Sequence, residues 1–235
     1  MIARRGPVKL DDCAVHGPGS GAELFVVEGD SASLSVSGVR DARFQAVLPM
    51  QGKPLNASRA TEKKVAGHAL FAALTDALGV ERGAGFDVAS LRYDRVLILM
   101  DPDADGIHCG VLMLAFFHRW MRALLDGGHV EMVRPPWGEL AVAGEAAPRY
   151  AWSDAQFRSL AAELRDARIA VTARRYRGLA GIDAPVLHAT CVDPASRRTS
   201  RVTTAAAETM IGMFDAAAPP DRDCQTSGRT AKRSR

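Results

Sequence analysis

The chain reads as an α/β protein, a parallel sheet flanked by helices. Three observations predict this. Leu24 to Val27 and Val96 to Met100 are short, continuous apolar runs, the pattern of strands buried on both faces. Each run ends in acidic residues at a strand-to-helix turn. Strand and helix patterns then alternate as β-α-β-α-β-α-β, an order that right-handed crossovers convert into a parallel sheet.

In chain order, residues 1–22 form an arm punctuated by Pro7, Gly17, Pro18, Gly19 and Gly21. The first strand, Leu24 to Val27, runs into Glu28-Gly29-Asp30-Ser31, where Gly29 permits a tight turn and Asp30 or Ser31 can cap a short helix near 32–38. A basic turn from Arg40 to Arg43 leads to a strand at Phe44 to Leu48, closed by Pro49, and then to a loop carrying Gly52-Lys53. Thr61 to Leu78 reads as one amphipathic helix with Val65, Ala69, Ala72, Ala73 and Leu78 inward, ended by glycines from Gly79. The strand Val96 to Met100 follows, then a helical stripe after Gly106 of Ile107, Val111, Leu114, Phe117, Met121 and Leu124. Val130 to Val133 is a fourth strand, stopped by Pro135-Pro136. Beyond it the spacing predicts an edge strand at Leu140 to Val142 and a helix over 154–167 capped by Ser153. A basic segment over 170–177, a turn at Asp193-Pro194 and a helix over 205–214 complete the ordered part. Residues 215–235 lack apolar periodicity and read as a disordered basic tail.

Composition bounds the function. The 235 residues are 47% hydrophobic, enough for a sizeable core, and the net charge of +3 permits a nucleic-acid partner without requiring one. The cations are mostly arginine, which suits phosphate contacts. Cys13, Cys109, Cys191 and Cys224 show no Cys-x-x-Cys spacing, so neither a zinc site nor a disulfide framework is indicated and a reducing cytoplasm fits. No signal peptide or membrane span is expected.

The chemistry concentrates in Asp101-Pro-Asp103-Ala-Asp105-Gly106-Ile-His108. Three carboxylates within five residues repel one another unless solvent or a cation offsets them, and oxygen ligands suit a hard cation such as magnesium. A calcium loop would need a bidentate acid at its twelfth position, where this chain has Leu112. A solvated turn that merely caps the following helix is the remaining alternative. If the strands before Glu28 and Asp101 are parallel neighbours, their acids meet at one sheet edge. Lys53, beside a flexible glycine, is placed either to reach a phosphate or simply to be solvated.

Several ordered islands resemble one family. Glu-Leu-Phe-Val-Val-Glu28-Gly29-Asp30-Ser31-Ala32, Arg43-Phe-Gln-Ala-Val-Leu-Pro49, Gly52-Lys53, the Asp101 segment, Gly128-His129-Val130 and Pro135-Pro136 are similar to the TOPRIM region of bacterial type IIA topoisomerase B subunits, the gyrase B and topoisomerase IV B family. Tyr176-Arg-Gly-Leu179 and Val192-Asp193-Pro194 with Arg197 resemble later segments of it. The resemblance implies a TOPRIM domain over 23–140, a family-type extension over 141–214, and a subunit of an ATP-hydrolysing type II DNA topoisomerase. It implies that Glu28, Asp101, Asp103 and Asp105 hold Mg2+, with Mn2+ possible, that Glu28 also relays a proton, and that Lys53, Arg43 and His108 lie on the DNA side. The implied partners are DNA, an A-type subunit carrying the catalytic tyrosine, and a separate ATPase-transducer chain. ATP is not expected to bind this chain, which shows no nucleotide-binding loop or glycine-rich lid.

Departures from the family pattern keep alternatives open. Ser33-Leu34 stands where the family has two glycines, Ile107 where it has serine, Gln51 and Gly110 where it has arginine, and Ala180-Gly181-Ile182 where it has a carboxylate. Lost charge on the DNA side should weaken phosphate affinity. A TOPRIM scaffold that binds an A-type subunit or DNA without turnover is therefore one alternative. A phosphohydrolase of the haloacid-dehalogenase type, which also places Asp-x-Asp after an apolar strand, is another.

Overall fold

The computed structural model describes residues 9–217. The elements are β1 (Glu23–Val27), α1 (Asp30–Ser37), β2 (Gln45–Pro49), α2 (Glu62–Gly67), α3 (Ala69–Leu78), β3 (Arg95–Leu99), α4 (Ala104–Trp120) and α5 (Arg122–Asp126). They continue as β4 (Val130–Val133), β5 (Gly138–Val142), β6 (Arg149–Ala151), α6 (Asp154–Asp166), β7 (Val171–Arg175), α7 (Ala184–Leu187), β8 (Thr199–Arg201) and α8 (Thr204–Ala217).

The main sheet has the order β2-β1-β3-β4-β8, with the first four strands parallel and β8 antiparallel at the edge. Alternation along the strands divides the core into two layers. Leu24, Val26, Ala46, Leu48, Val96 and Ile98 face a cluster built from α3, α4 and α8, where Phe71 stacks on Phe116 at 4.1 Å between ring centres. Phe25, Val27, Val47, Leu97 and Leu99 face the opposite layer, made by α1 with Tyr176, Leu179, Leu187 and Cys191. Every residue of β1 is buried, as its uninterrupted apolar run requires. Truncating a ring such as Phe25 to alanine costs about 3–5 kcal/mol. The free edge of β2 is shielded by the arm, where Asp11 and Val47 exchange two backbone hydrogen bonds of 2.9 Å.

At the amino ends of the strands lies a buried polar knot. Arg197 donates from Nη1 and Nη2 to the two carboxylate oxygens of Glu23, each at 2.6 Å, and the Gln45 amide donates to Glu23 Oε2 at 2.9 Å. Gln45 and Arg197 also both reach the Val192 carbonyl. The Asp193-Pro194 turn is thereby fastened to the sheet across 174 residues of chain separation.

Several sequence expectations change. The helix expected over 61–78 is two helices, broken at His68, whose extended backbone (φ −80°, ψ 119°) follows the weak helix former Gly67. The break resets the phase, so Leu70, Phe71, Leu74 and Ala77 point inward while Ala69 is exposed and Ala72 and Ala73 are only half-buried. Leu140 to Val142 is not an edge strand: β5 is the centre of a second sheet of order β6-β5-β7. Neither neighbour carries a strong apolar pattern, which hid the pairing. The helix after the acids starts at Ala104 rather than after Gly106, because the Asp103 side chain caps it by accepting from the Gly106 N–H at 2.8 Å. Ile107, expected inward, is 59% exposed because the first turn of α4 overhangs the sheet edge. α8 continues to Ala217, so the first three residues read as tail are helical, and 218–235 lie outside the described residues.

Candidate metal site

The site forms where β1 and β3 end. These neighbours run parallel with Val27 opposite Leu99, so the condition set by the sequence is met and Glu28 and Asp101 emerge from the same carboxyl edge. Asp103 caps α4 on the turn that leads out of β3 and points an oxygen at the helix N-terminus.

Each acid is held differently. Asp101 Oδ1 accepts a hydrogen bond of 2.8 Å from the Leu179 backbone N–H, which crosses from the second layer. The approach is tight enough that a Cβ on Gly178 would stand 2.9 Å from Asp101 Oδ2. Gly106 is equally constrained, since a methyl there would overlap the Asp101 carbonyl oxygen. Burial raises the Asp101 pKa, the Leu179 N–H opposes this, and the charge of Asp103 raises it further. Glu28 is also raised, first by burial and then by the charge of Asp101, with Asp103 and Asp105 adding to it. Its Oε2 is buried with no hydrogen-bond partner.

Asp105 stands apart. Lys53 donates to its Oδ1 at 2.8 Å, and this exposed pair lowers the Asp105 pKa. The loop that delivers Lys53 depends on Gly52, whose φ of +97° suits glycine alone. The structure thus joins the lysine expected at DNA to the acid expected at the metal. His108 lies on the same helix turn, but its ring packs 4.3 Å from that of Phe214 on α8, and burial followed by the Lys53 charge lowers its pKa. Arg43 is not at the site. It precedes β2, and because the strands are parallel it lies at the amino edge, a full strand length from the carboxyl-edge acids.

Among the described residues, the one group of three His, Cys, Asp or Glu donors within 4.8 Å of one another is Asp12, Cys13 and His16, away from these acids. That group already holds a cation. Arg92 Nη2 lies 2.6 Å from Asp12 Oδ2 and 2.9 Å from His16 Nε2, and the Tyr93 hydroxyl donates to Asp12 Oδ1 at 2.6 Å. The carboxyl-edge acids stay farther apart, and three of them have separate partners: Lys53 for Asp105, the Leu179 N–H for Asp101 and the Gly106 N–H for Asp103.

Glu28, Asp101 and Asp103 remain as three carboxylates on one sheet edge, more widely spaced than that group, with one orphaned buried oxygen and a glycine keeping space beside another. That donor set fits a hard divalent cation. Comparison with known proteins agrees with this architecture: the Toprim domain model matches residues 23–135. Residues 23–135 are similar to the Toprim domain.

The similarity reaches beyond the Toprim domain itself. The B subunit of DNA gyrase from Thermus thermophilus is 40% identical over 200 residues, which is 83% of this chain and 31% of the relative. The B subunit of DNA topoisomerase 4 from Caulobacter vibrioides is 40% identical over 199 residues, 85% of this chain and 28% of the relative. The gyrase counterpart from Halalkalibacterium halodurans is 36% identical over 197 residues, 84% and 30%. The chain matches the Toprim-bearing region of these B subunits and spans about three tenths of their length. The sequence reading misses the Leu179 N–H as a partner of Asp101, because a backbone donor has no side-chain signature. The Tyr-Arg-Gly-Leu resemblance is the one signal that could have located it.

Proposed function

We propose that this chain is the Toprim part of a type IIA DNA topoisomerase, from its B-type chain. In this reading Glu28, Asp101 and Asp103 hold Mg2+, or Mn2+, for cleavage and religation of DNA by the tyrosine of an A-type subunit. The observation that carries the reading is Glu28 Oε2, buried without a partner beside two further acids. Leaving such an acceptor unsatisfied costs about 1–3 kcal/mol, a penalty a cation would remove. A bound cation would neutralise the reacting phosphate and stabilise the leaving 3′-oxygen. Asp101 is fixed by Leu179 and Asp103 by its cap, so both are oriented before any ligand arrives. Glu28, with its raised proton affinity, is the group suited to relay a proton at the 3′-oxygen. Lys53 can exchange Asp105 for a phosphate at the rim.

A partner tyrosine is needed on chemical grounds. Burial pushes up the pKa of Tyr93, Tyr150 and Tyr176, which makes all three poor nucleophiles. In this reading ATP binds a separate ATPase-transducer chain and not this one. No helix among the described residues is long and apolar enough to cross a membrane, and the proposed place of action is the cytoplasm, with the DNA.

The test mixes the chain with an A-type subunit, DNA and Mg2+ and assays covalent protein–DNA adducts, with Mg2+ binding measured separately by calorimetry. Adducts that require both partner and metal, and fall at least 100-fold in Asp101→Ala, support the reading. Metal-dependent nicking by the chain alone, lost in Asp101→Ala, would replace it with a Toprim nuclease. The scaffold reading has one observation in its favour: Leu34 and Ile107, on the first turns after the acids, are 76% and 59% exposed where charge would serve DNA better. Mg2+ binding without adducts would select it.

A further inference from the structure

Behind the acid edge, a pocket of about 460 Å³ opens between β4, β8, α8 and the two tryptophans that flank the second sheet. Its size is that of a small-molecule site. The walls are apolar and adaptable: Met100, Met132 and Met210 line it together with Val202 and Ala206. Trp137 and Trp152 also line it, and the indole Nε1 of each is buried with no acceptor. The faces of the two rings are engaged by arginines, Arg175 over Trp137 at 5.2 Å and Arg198 over Trp152 at 3.5 Å. Arg134 and Arg201 are the cations of the lining itself; both are exposed, and neither has a carboxylate within ion-pair distance among the described residues.

An apolar slot with unpaired guanidinium groups in its lining is complementary to a flat apolar body that bears a negative charge. The structure assigns this pocket to a small aromatic carboxylate, its ring system between the methionines and its carboxylate held by Arg134. Asp101, Pro102 and Ile107 close the end nearest the acids, so an occupant would lie directly behind the carboxylate that Leu179 clamps. The ligand contacts are independent of whether magnesium binds in front.

The probe is 2-naphthoate, with the neutral 2-naphthamide as control, titrated into the whole chain by calorimetry and by tryptophan fluorescence. One 2-naphthoate per chain is expected. Ala206→Trp fills the slot from an exposed helix position and should weaken binding at least tenfold. Arg134→Gln should weaken 2-naphthoate about tenfold and leave 2-naphthamide within twofold. Circular dichroism establishes that both variants fold. No saturable binding to the wild type, equal binding by Ala206→Trp, or equal loss of both probes in Arg134→Gln would each overturn the assignment.

Discussion

Replacing Arg197 by methionine tests whether the buried knot at the amino edge secures the Asp193-Pro194 turn. The Arg197 and Glu23 side chains are 2% and 0% exposed, and the two 2.6 Å bonds between them form a bidentate pair. Breaking a pair of this kind costs about 3–5 kcal/mol, because one charge stays buried without compensation. Glu23 keeps the Gln45 amide at 2.9 Å and the partly exposed Arg95 at 3.0 Å, which places the loss near the lower end, about 3 kcal/mol. For a chain of this size that is a fall in Tm of about 6–12 °C. Urea unfolding gives the free energy and circular dichroism the melt. The double variant Glu23→Leu with Arg197→Met removes both charges and should recover most of the loss, since apolar replacement of a whole buried pair is often neutral. A single-variant loss below about 1 kcal/mol, or a double variant no better than the single, would refute the reasoning.

Further outcomes follow from the same geometry. Gly178→Ala leaves the backbone unstrained, since φ is −162°, but puts a methyl against the Asp101 carboxylate; Mg2+ affinity should fall at least tenfold by calorimetry while the melt barely moves. Asp12 has its pKa lowered because hydrogen bonds from Tyr93, His16 and Arg92 outweigh the opposing effect of burial. Its stabilisation is therefore present above the ordinary carboxylate range and lost as pH falls through the lowered value, so the gap between wild type and Asp12→Asn in urea unfolding should be widest near neutrality and shrink in acid. A gap that grows in acid would reverse the assignment of charge. Equilibrium dialysis with a non-hydrolysable ATP analogue should detect no stoichiometric binding to the chain.

The sequence shows what is local. Two apolar runs that each end in acid are enough to place Glu28 and Asp101 on one edge, because a parallel sheet brings equivalent strand ends together. The Ser153 cap of α6, which accepts from the Gln156 N–H, is likewise visible in the residues beside it. What escapes is set by distant partners. Nothing near Glu23 announces that Arg197 will neutralise it, and nothing in Val171-Thr-Ala-Arg-Arg175 announces a strand against β5. Motif reasoning gives Asp105 and Lys53 a ligand each, whereas their opposite charges draw them to each other. Ile107 fits the apolar stripe of α4 by spacing, but the stripe has no sheet beneath it on the first turn.

The hydrogen bond from Leu179 to Asp101 also has a consequence in time. Its donor lies 78 residues downstream of its acceptor. At ~5–20 residues per second, a ribosome needs about 4–16 s to make the intervening chain. During that interval β1, β3 and their acids can already be assembled while the Asp101 oxygen still lacks its amide. A nascent chain therefore passes through a stage in which its most acidic edge is formed but loosely oriented. It acquires its final shape only when the following layer folds back over it.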